Sequence, residues 1–170
     1  MGRRRVLRAM IVLPGTMTIL VPALLLLFEG GPDVGLGLSL PLAPLPVAAG
    51  GALIVLGLAL AGWTILLLAR VGRGTLAPWD PTEWLVVVGP YRHVRNPMIT
   101  GVFSVLVGEG LLLGSRAILA CALVFLVVNV IYIPLVEEPG LLDRFGDEYS
   151  DYRRHVPAWI PRLRPWVPGV

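Results

Sequence analysis

The chain has 170 residues, of which 56% are hydrophobic and only 15% charged. A soluble domain of this size has too much surface for its volume to hide so much apolar side chain, which excludes water as its only solvent. The net charge is +3, there is no lysine, and the arginines are spread over several loops, which leaves no patch for a nucleic acid.

Four apolar runs divide the chain, at 9–28, 45–69, 98–114 and 118–136. Crossing the hydrocarbon core takes about 20 helical residues, with a range of about 17 to 25, so all four qualify. The pattern predicts an all-α integral membrane protein, a single domain over 1–170 with four transmembrane helices. The first run follows Arg3, Arg4, Arg5 and Arg8, as a signal peptide would, but it is long for one and lacks an A-x-A cleavage site, so it reads as a retained helix. Gly57, Gly62, Gly101, Gly108, Gly110 and Gly114 fall in or beside the spans, where small residues let helix backbones approach. Gly114, Ser115 and Arg116 make a tight hairpin between the third and fourth runs. Cys121, the single cysteine, lies in an apolar run and reads as packing.

Arginine placement sets an orientation. Arg70, Arg73, Arg92 and Arg95 lie between the second and third runs, and Arg144, Arg153, Arg154, Arg162 and Arg164 follow the fourth. Arg116 alone falls on the other side, with Glu29 and Asp33. The positive-inside bias places both termini and the central loop in the cytoplasm, from a cell inner or plasma membrane. Beyond the fourth run, 139–155 carries Leu141, Leu142, Phe145, Tyr149 and Tyr152 on one stripe, an interfacial amphipathic helix in which the tyrosines read as surface packing. The tail at 156–170 is too rich in proline for a helix, and Trp159 and Trp166 suit the headgroup layer.

Two stretches hold polar residues that lipid packing leaves unexplained. One is Gly89-Pro90-Tyr91-Arg92-His93-Val94-Arg95-Asn96-Pro97; the other is Glu137-Glu138 at the end of the fourth run. The hairpin brings these ends together, where a water-soluble reagent could meet a lipid-dissolved one. Arg95, Asn96, Glu137 and Glu138 are the candidate catalytic residues, and no metal is expected. Acidic residues at a helix C-terminus oppose the macrodipole, so the glutamates call for a reason. Against that, Arg92 and Arg95 also serve as topology signals, Pro97 suits a first helical turn, and His93 reads as a loop residue near headgroups. Glu109, inside the third run, is costly enough to be a functional candidate, though a protonated or snorkelling acid is an equal reading. Pro134 should kink the fourth span just before the glutamates and free the carbonyl of Val130.

The order GPYRHVRNPMITG, a hairpin of two spans, then EEPGLLDRFGDEYSDYRRHVPAWIP resembles the isoprenylcysteine carboxyl methyltransferase and phospholipid methyltransferase superfamily. The resemblance covers roughly the second half of the chain. It implies methyl transfer from S-adenosylmethionine to a lipid or small hydrophobic acceptor, with the cofactor region at 83–98 and 137–155. Carried over residue by residue, the family's cofactor contacts fall on Trp84, Leu85, Val86, Tyr91, Arg95, Asn96, Pro97, Met98 and Glu137. The chemistry is compatible: a carboxylate favours the sulfonium and accepts from amino or ribose groups, while an arginine holds the cofactor carboxylate. The chain departs from the family pattern at Asn96 (histidine), Ile99 (tyrosine) and Ile133, where the prenylcysteine enzymes carry an arginine. Two alternatives stand beside this reading: a sterol-reductase-like enzyme using NADPH, and a non-catalytic helical-bundle subunit.

Overall fold

The computed structural model describes residues 14–34, 42, 44–73 and 82–167. Among these, every regular element is helical. The arginine cluster ahead of the first run, the start of that run and the last three residues of the tail lie outside the described residues.

A π turn at Thr16–Leu20 leads into α1 (Val21–Glu29). The next helix, α2 (Pro44–Leu67), continues as a π segment over Leu68–Gly72. After a 3-10 turn at Gly89–Arg92 come α3 (Pro97–Leu113) and α4 (Arg116–Tyr132). A second π segment, Ile133–Glu137, joins α4 to α5 (Glu138–His155).

Two helical stretches, Pro44–Gly72 and Arg116–His155, are long and apolar enough to cross a bilayer. Only 22% and 17% of their most apolar stretches are buried inside the protein. The core helix of a soluble protein would be mostly covered, whereas here Val55, Leu56 and Leu58 on α2 and Leu123, Val124 and Val127 on α4 stand exposed. Lipid is the solvent that such faces fit. Thr16–Glu29 and Pro97–Leu113 are apolar too, but shorter.

The closest helix crossing is between α2 and α3, and glycine makes it possible. A methyl group on Gly50 would meet the Gly108 carbonyl oxygen at 2.5 Å, and one on Gly57 would meet that of Gly101 at 2.6 Å. The reciprocal contacts from Gly108 and Gly101, at 2.6 and 2.9 Å, are also closer than real methyl groups come, so the two helices run antiparallel with backbones touching. Gly110 serves the α3–α4 hairpin against Leu119, but Gly62 has nothing within 4 Å and no such role. Gly114 turns the hairpin in the left-handed region (φ 66), and Ser115 caps α4 by accepting from the Ile118 amide at 3.0 Å. Glu29 bonds the Ser115 hydroxyl and accepts from the Ala117 amide, which fastens the end of α1 to the same hairpin.

The opposite end of the helices is built differently. Pro134 has no amide proton to continue the α ladder, and the chain widens to a π segment in which the Glu138 amide reaches back to Ile133. The proline thus re-registers the helix without interrupting it. α5 is not the single amphipathic rod that its stripe predicts: Gly146 adopts φ 50 and ψ −124 and breaks it into two pieces. The tail then folds back along the arginine loop. The Arg95 amide donates to Pro157, Arg162 to His93 and Trp166 to Arg92, all near 3 Å. The proline-rich segment is a strap on the loop.

Candidate functional site

At this end the elements enclose a cleft of about 370 Å³, within the usual size range of small-ligand sites. Leu68 ends the α2 wall, and Thr82, Leu85 and Val86 come from the stretch beyond it. Tyr91 and the run from Arg95 to Ile99 form the loop and first turn of α3. Tyr132, Ile133, Val136 and Glu137 approach from the α4 side, followed by Gly140, Leu141, Arg144 and Phe145. Tyr149 and Tyr152, beyond the break at Gly146, close the remaining wall. The lining is therefore mixed, with Arg95 and Asn96 from the loop and Glu137 and Arg144 from the helical segments set among apolar side chains.

Several of the polar groups are held by their neighbours. Pro97 opens α3, where its missing donor costs nothing. The Asn96 side-chain amide donates to Ala158 at 3.2 Å, while its backbone carbonyl accepts from the amide and hydroxyl of Thr100. Arg95 Nη1 lies 2.9 Å from Glu138 Oε1. That contact is an ion pair rather than an aligned hydrogen bond, and among the described residues the buried Nε and Nη1 of Arg95 have no hydrogen-bond partner. Arg153 Nε approaches the other oxygen of Glu138 at 3.2 Å. The Tyr152 hydroxyl donates to the Tyr91 carbonyl at 2.7 Å.

Electrostatics separates the two glutamates. Glu137 faces the cleft; burial, and then the charge of Glu138, push its carboxyl above the ordinary carboxylate range. Glu138 is 2% exposed, lies off the lining and is spoken for by two arginines. Burial also raises the phenols of Tyr91 and Tyr152, and takes that of Tyr149 up to about 12. All three remain hydrogen-bond donors at neutral pH.

Of the residues singled out in the sequence, Leu85, Val86, Tyr91, Arg95, Asn96, Pro97, Met98 and Glu137 line this one cleft. Trp84 does not; it is 61% exposed. Arg92 and His93 face a separate, more open cavity with Trp63 and Pro165. Arg92 donates from Nε to the Trp166 carbonyl, and His93 pairs with that of Arg162, so both secure the strap. Glu109 lies away from the cleft on α3, with one carboxylate oxygen buried and without a partner among the described residues. Tyr149 and Tyr152, which read as surface packing, are each 3% exposed and form a wall. Their spacing from Phe145 on one stripe was the available signal. Among the described residues, no group of three or more His, Cys, Asp or Glu side chains could hold a metal ion.

Among the described residues, helices with exposed apolar sides and a ligand-sized cleft at one end define a helical membrane protein with a candidate ligand site. More particularly, the chain belongs to the phospholipid methyltransferase family, whose model matches residues 45–148. That match spans the whole cleft lining except Tyr149 and Tyr152.

Three curated proteins are similar over less than half of the chain. The nickel-cobalt-cadmium resistance protein NccN of Alcaligenes xylosoxydans xylosoxydans is 35% identical over 46% of this chain and 37% of its own length. The protein-S-isoprenylcysteine O-methyltransferase of Schizosaccharomyces pombe is 37% identical over 46% of this chain and 34% of its own. Methanethiol S-methyltransferase 2 of Bradyrhizobium diazoefficiens is 36% identical over 43% of this chain and 27% of its own. The matched part thus spans well under half the length of each relative. No solved structure matches the chain.

Proposed function

We propose that the protein is an S-adenosylmethionine-dependent methyltransferase acting on a lipid or small hydrophobic acceptor at the cytoplasmic face of a cell membrane, which its four apolar helices cross. The observation that carries this reading is the cleft itself. It gathers an arginine whose Nε has no partner among the described residues, a carboxylate and an apolar wall at the boundary where a soluble cofactor and a lipid-dissolved acceptor could meet.

The residues present fit the cofactor. Arg95 Nη1 is engaged by the Glu138 carboxylate, but its buried Nε has no hydrogen-bond partner among the described residues, a costly arrangement that a ligand carboxylate would relieve. Glu137, the one carboxylate on the lining, would accept from the cofactor's amino or ribose groups. Tyr91 supplies an aromatic face, and Asn96, tied through its amide nitrogen, offers its oxygen. Bound there, the cofactor supplies an activated methyl on its sulfonium. The chain contributes alignment of the acceptor with that methyl and exclusion of water by Phe145, Tyr149 and Tyr152.

The relatives' names include both an oxygen and a sulfur methyltransferase, so the acceptor atom must be read from this cleft. Ile133, 3% exposed, occupies the wall one turn before Glu137. An isoleucine offers an acceptor carboxylate no partner, and desolvating that anion beside it is unfavourable. This supports a neutral or amine-bearing lipid, or a small hydrophobic amine, hydroxyl or thiol.

The test is calorimetry of the purified protein with S-adenosylhomocysteine and, in parallel, with NADPH. Binding of the first alone is the expected result. Binding of NADPH instead would transfer the protein to the reductase class, and binding of neither would leave a non-catalytic bundle.

A further inference from the structure

Glu138 draws its two partners from distant parts of the chain. Arg95 belongs to the loop before α3, and Arg153 to the distal half of α5. Between Glu138 and Arg153 lies the break at Gly146. A methyl group added there would meet nothing within 4 Å among the described residues; its φ of 50 with ψ −124 is a conformation that glycine adopts freely and side chains only at a cost. Contacts beyond the break hold the distal half back over the proximal half: the Tyr152 hydroxyl bonds the Tyr91 carbonyl, and the buried Glu138 carboxylate bridges the gap itself. The distal half carries Tyr149 and Tyr152, one wall of the cleft. Arg153 touches the carboxylate with a side chain 47% exposed and lies off the lining.

We infer that Glu138 is a positioning residue: its carboxylate, shared between Arg95 and Arg153, latches the distal half of α5 over the cleft and steadies Arg95 with Nε left for a ligand. The adjacent glutamates thus divide the work, Glu137 facing the ligand and Glu138 fixing the walls. The choice of ligand rests on the methyltransferase reading; the latch itself does not.

The full chain in lipid nanodiscs serves for the test, as wild type, Arg153→Met, Arg153→Lys, Glu138→Gln and the Glu138→Gln/Arg153→Met pair. Hydrogen exchange over 147–160, the thermal midpoint and calorimetric affinity for S-adenosylhomocysteine are measured on each. Arg153→Met should speed exchange over 147–160 at an unchanged midpoint and weaken binding about five-fold, the upper range for a half-exposed ion pair. Arg153→Lys, which keeps the charge, should restore both. Adding Arg153→Met to Glu138→Gln should have little further effect, because the two act through one contact. Wild-type exchange and affinity in Arg153→Met, or effects that simply add, would overturn the latch. Should Glu138→Gln fail to fold, the two Arg153 variants still decide. A wild type that does not bind S-adenosylhomocysteine would remove the methyltransferase reading, while exchange in Arg153→Met against Arg153→Lys would still uphold or overturn the latch.

Discussion

The Tyr152 hydroxyl donates to the backbone carbonyl of Tyr91 at 2.7 Å, across 61 positions of sequence. Both residues are buried, and the bond pins the distal half of α5 to the start of the arginine loop. Tyr152→Phe keeps the ring and removes the donor. It should cost about 1 to 3 kcal/mol, the usual penalty for stranding a buried carbonyl, read as a lowered thermal midpoint in detergent. A midpoint equal to wild type would mean that the Glu138 contacts, the strap and ring packing hold this wall without the bond.

Glu137→Gln and Arg95→Ala should each weaken S-adenosylhomocysteine binding about ten-fold or more, because a lost charge-assisted bond costs about 1.5 to 3 kcal/mol. Asp147→Asn, at an exposed position of α5, is the control and should change little. Wild-type affinity in both site variants would remove the cofactor assignment.

The same affinity should depend on pH in a direction set by Glu137. Burial and then Glu138 raise its carboxyl above the ordinary value of about 4.3 for glutamate. Ligand binding uses the ionised form, so affinity is full above the raised value and falls as pH drops through it. Calorimetry across mildly alkaline to mildly acid buffers should show the loss beginning at less acid pH than an ordinary carboxylate would give. Glu137→Gln should flatten that part of the profile.

The helix crossing gives a prediction independent of the site. Gly57→Ala drives a methyl group against the Gly101 carbonyl oxygen at 2.6 Å and should destabilise the bundle by about 1 to 3 kcal/mol, as overpacking does. Gly62→Ala meets nothing and should be neutral, or stabilising by up to about 1 kcal/mol from helix propensity. Paired thermal melts in one detergent check both, and equal midpoints would count against the close α2–α3 contact.

The acceptor can be tested through Ile133. Purified protein with labelled S-adenosylmethionine should label a component of a total membrane-lipid extract and leave a farnesylcysteine analogue unlabelled. Labelling of farnesylcysteine alone would mean that another side chain, such as Arg144 on the same lining, supplies the missing positive charge.

Hydropathy by itself determined where the helices lie, because lipid rewards apolar length along the chain and that length is a local property. The stretches 89–97 and 137–138 also stood out unaided, since polar groups beside apolar spans call for a partner. The sequence could not say which partner. Glu137 and Glu138 are alike as residues, and only their surroundings make one line the cleft and bury the other between Arg95 and Arg153. Tyr149 and Tyr152 sit on an amphipathic stripe whose periodicity fits a surface helix; the break at Gly146 turns them into a wall. The proline-rich tail reads as a headgroup anchor until its backbone is seen bonded to 92, 93 and 95. Gly50 draws no attention until Gly108 lies against it, and Gly62 draws attention with nothing opposite. Burial, charge pairing and close approach belong to pairs of residues far apart in sequence, so they exist only once the helices have packed.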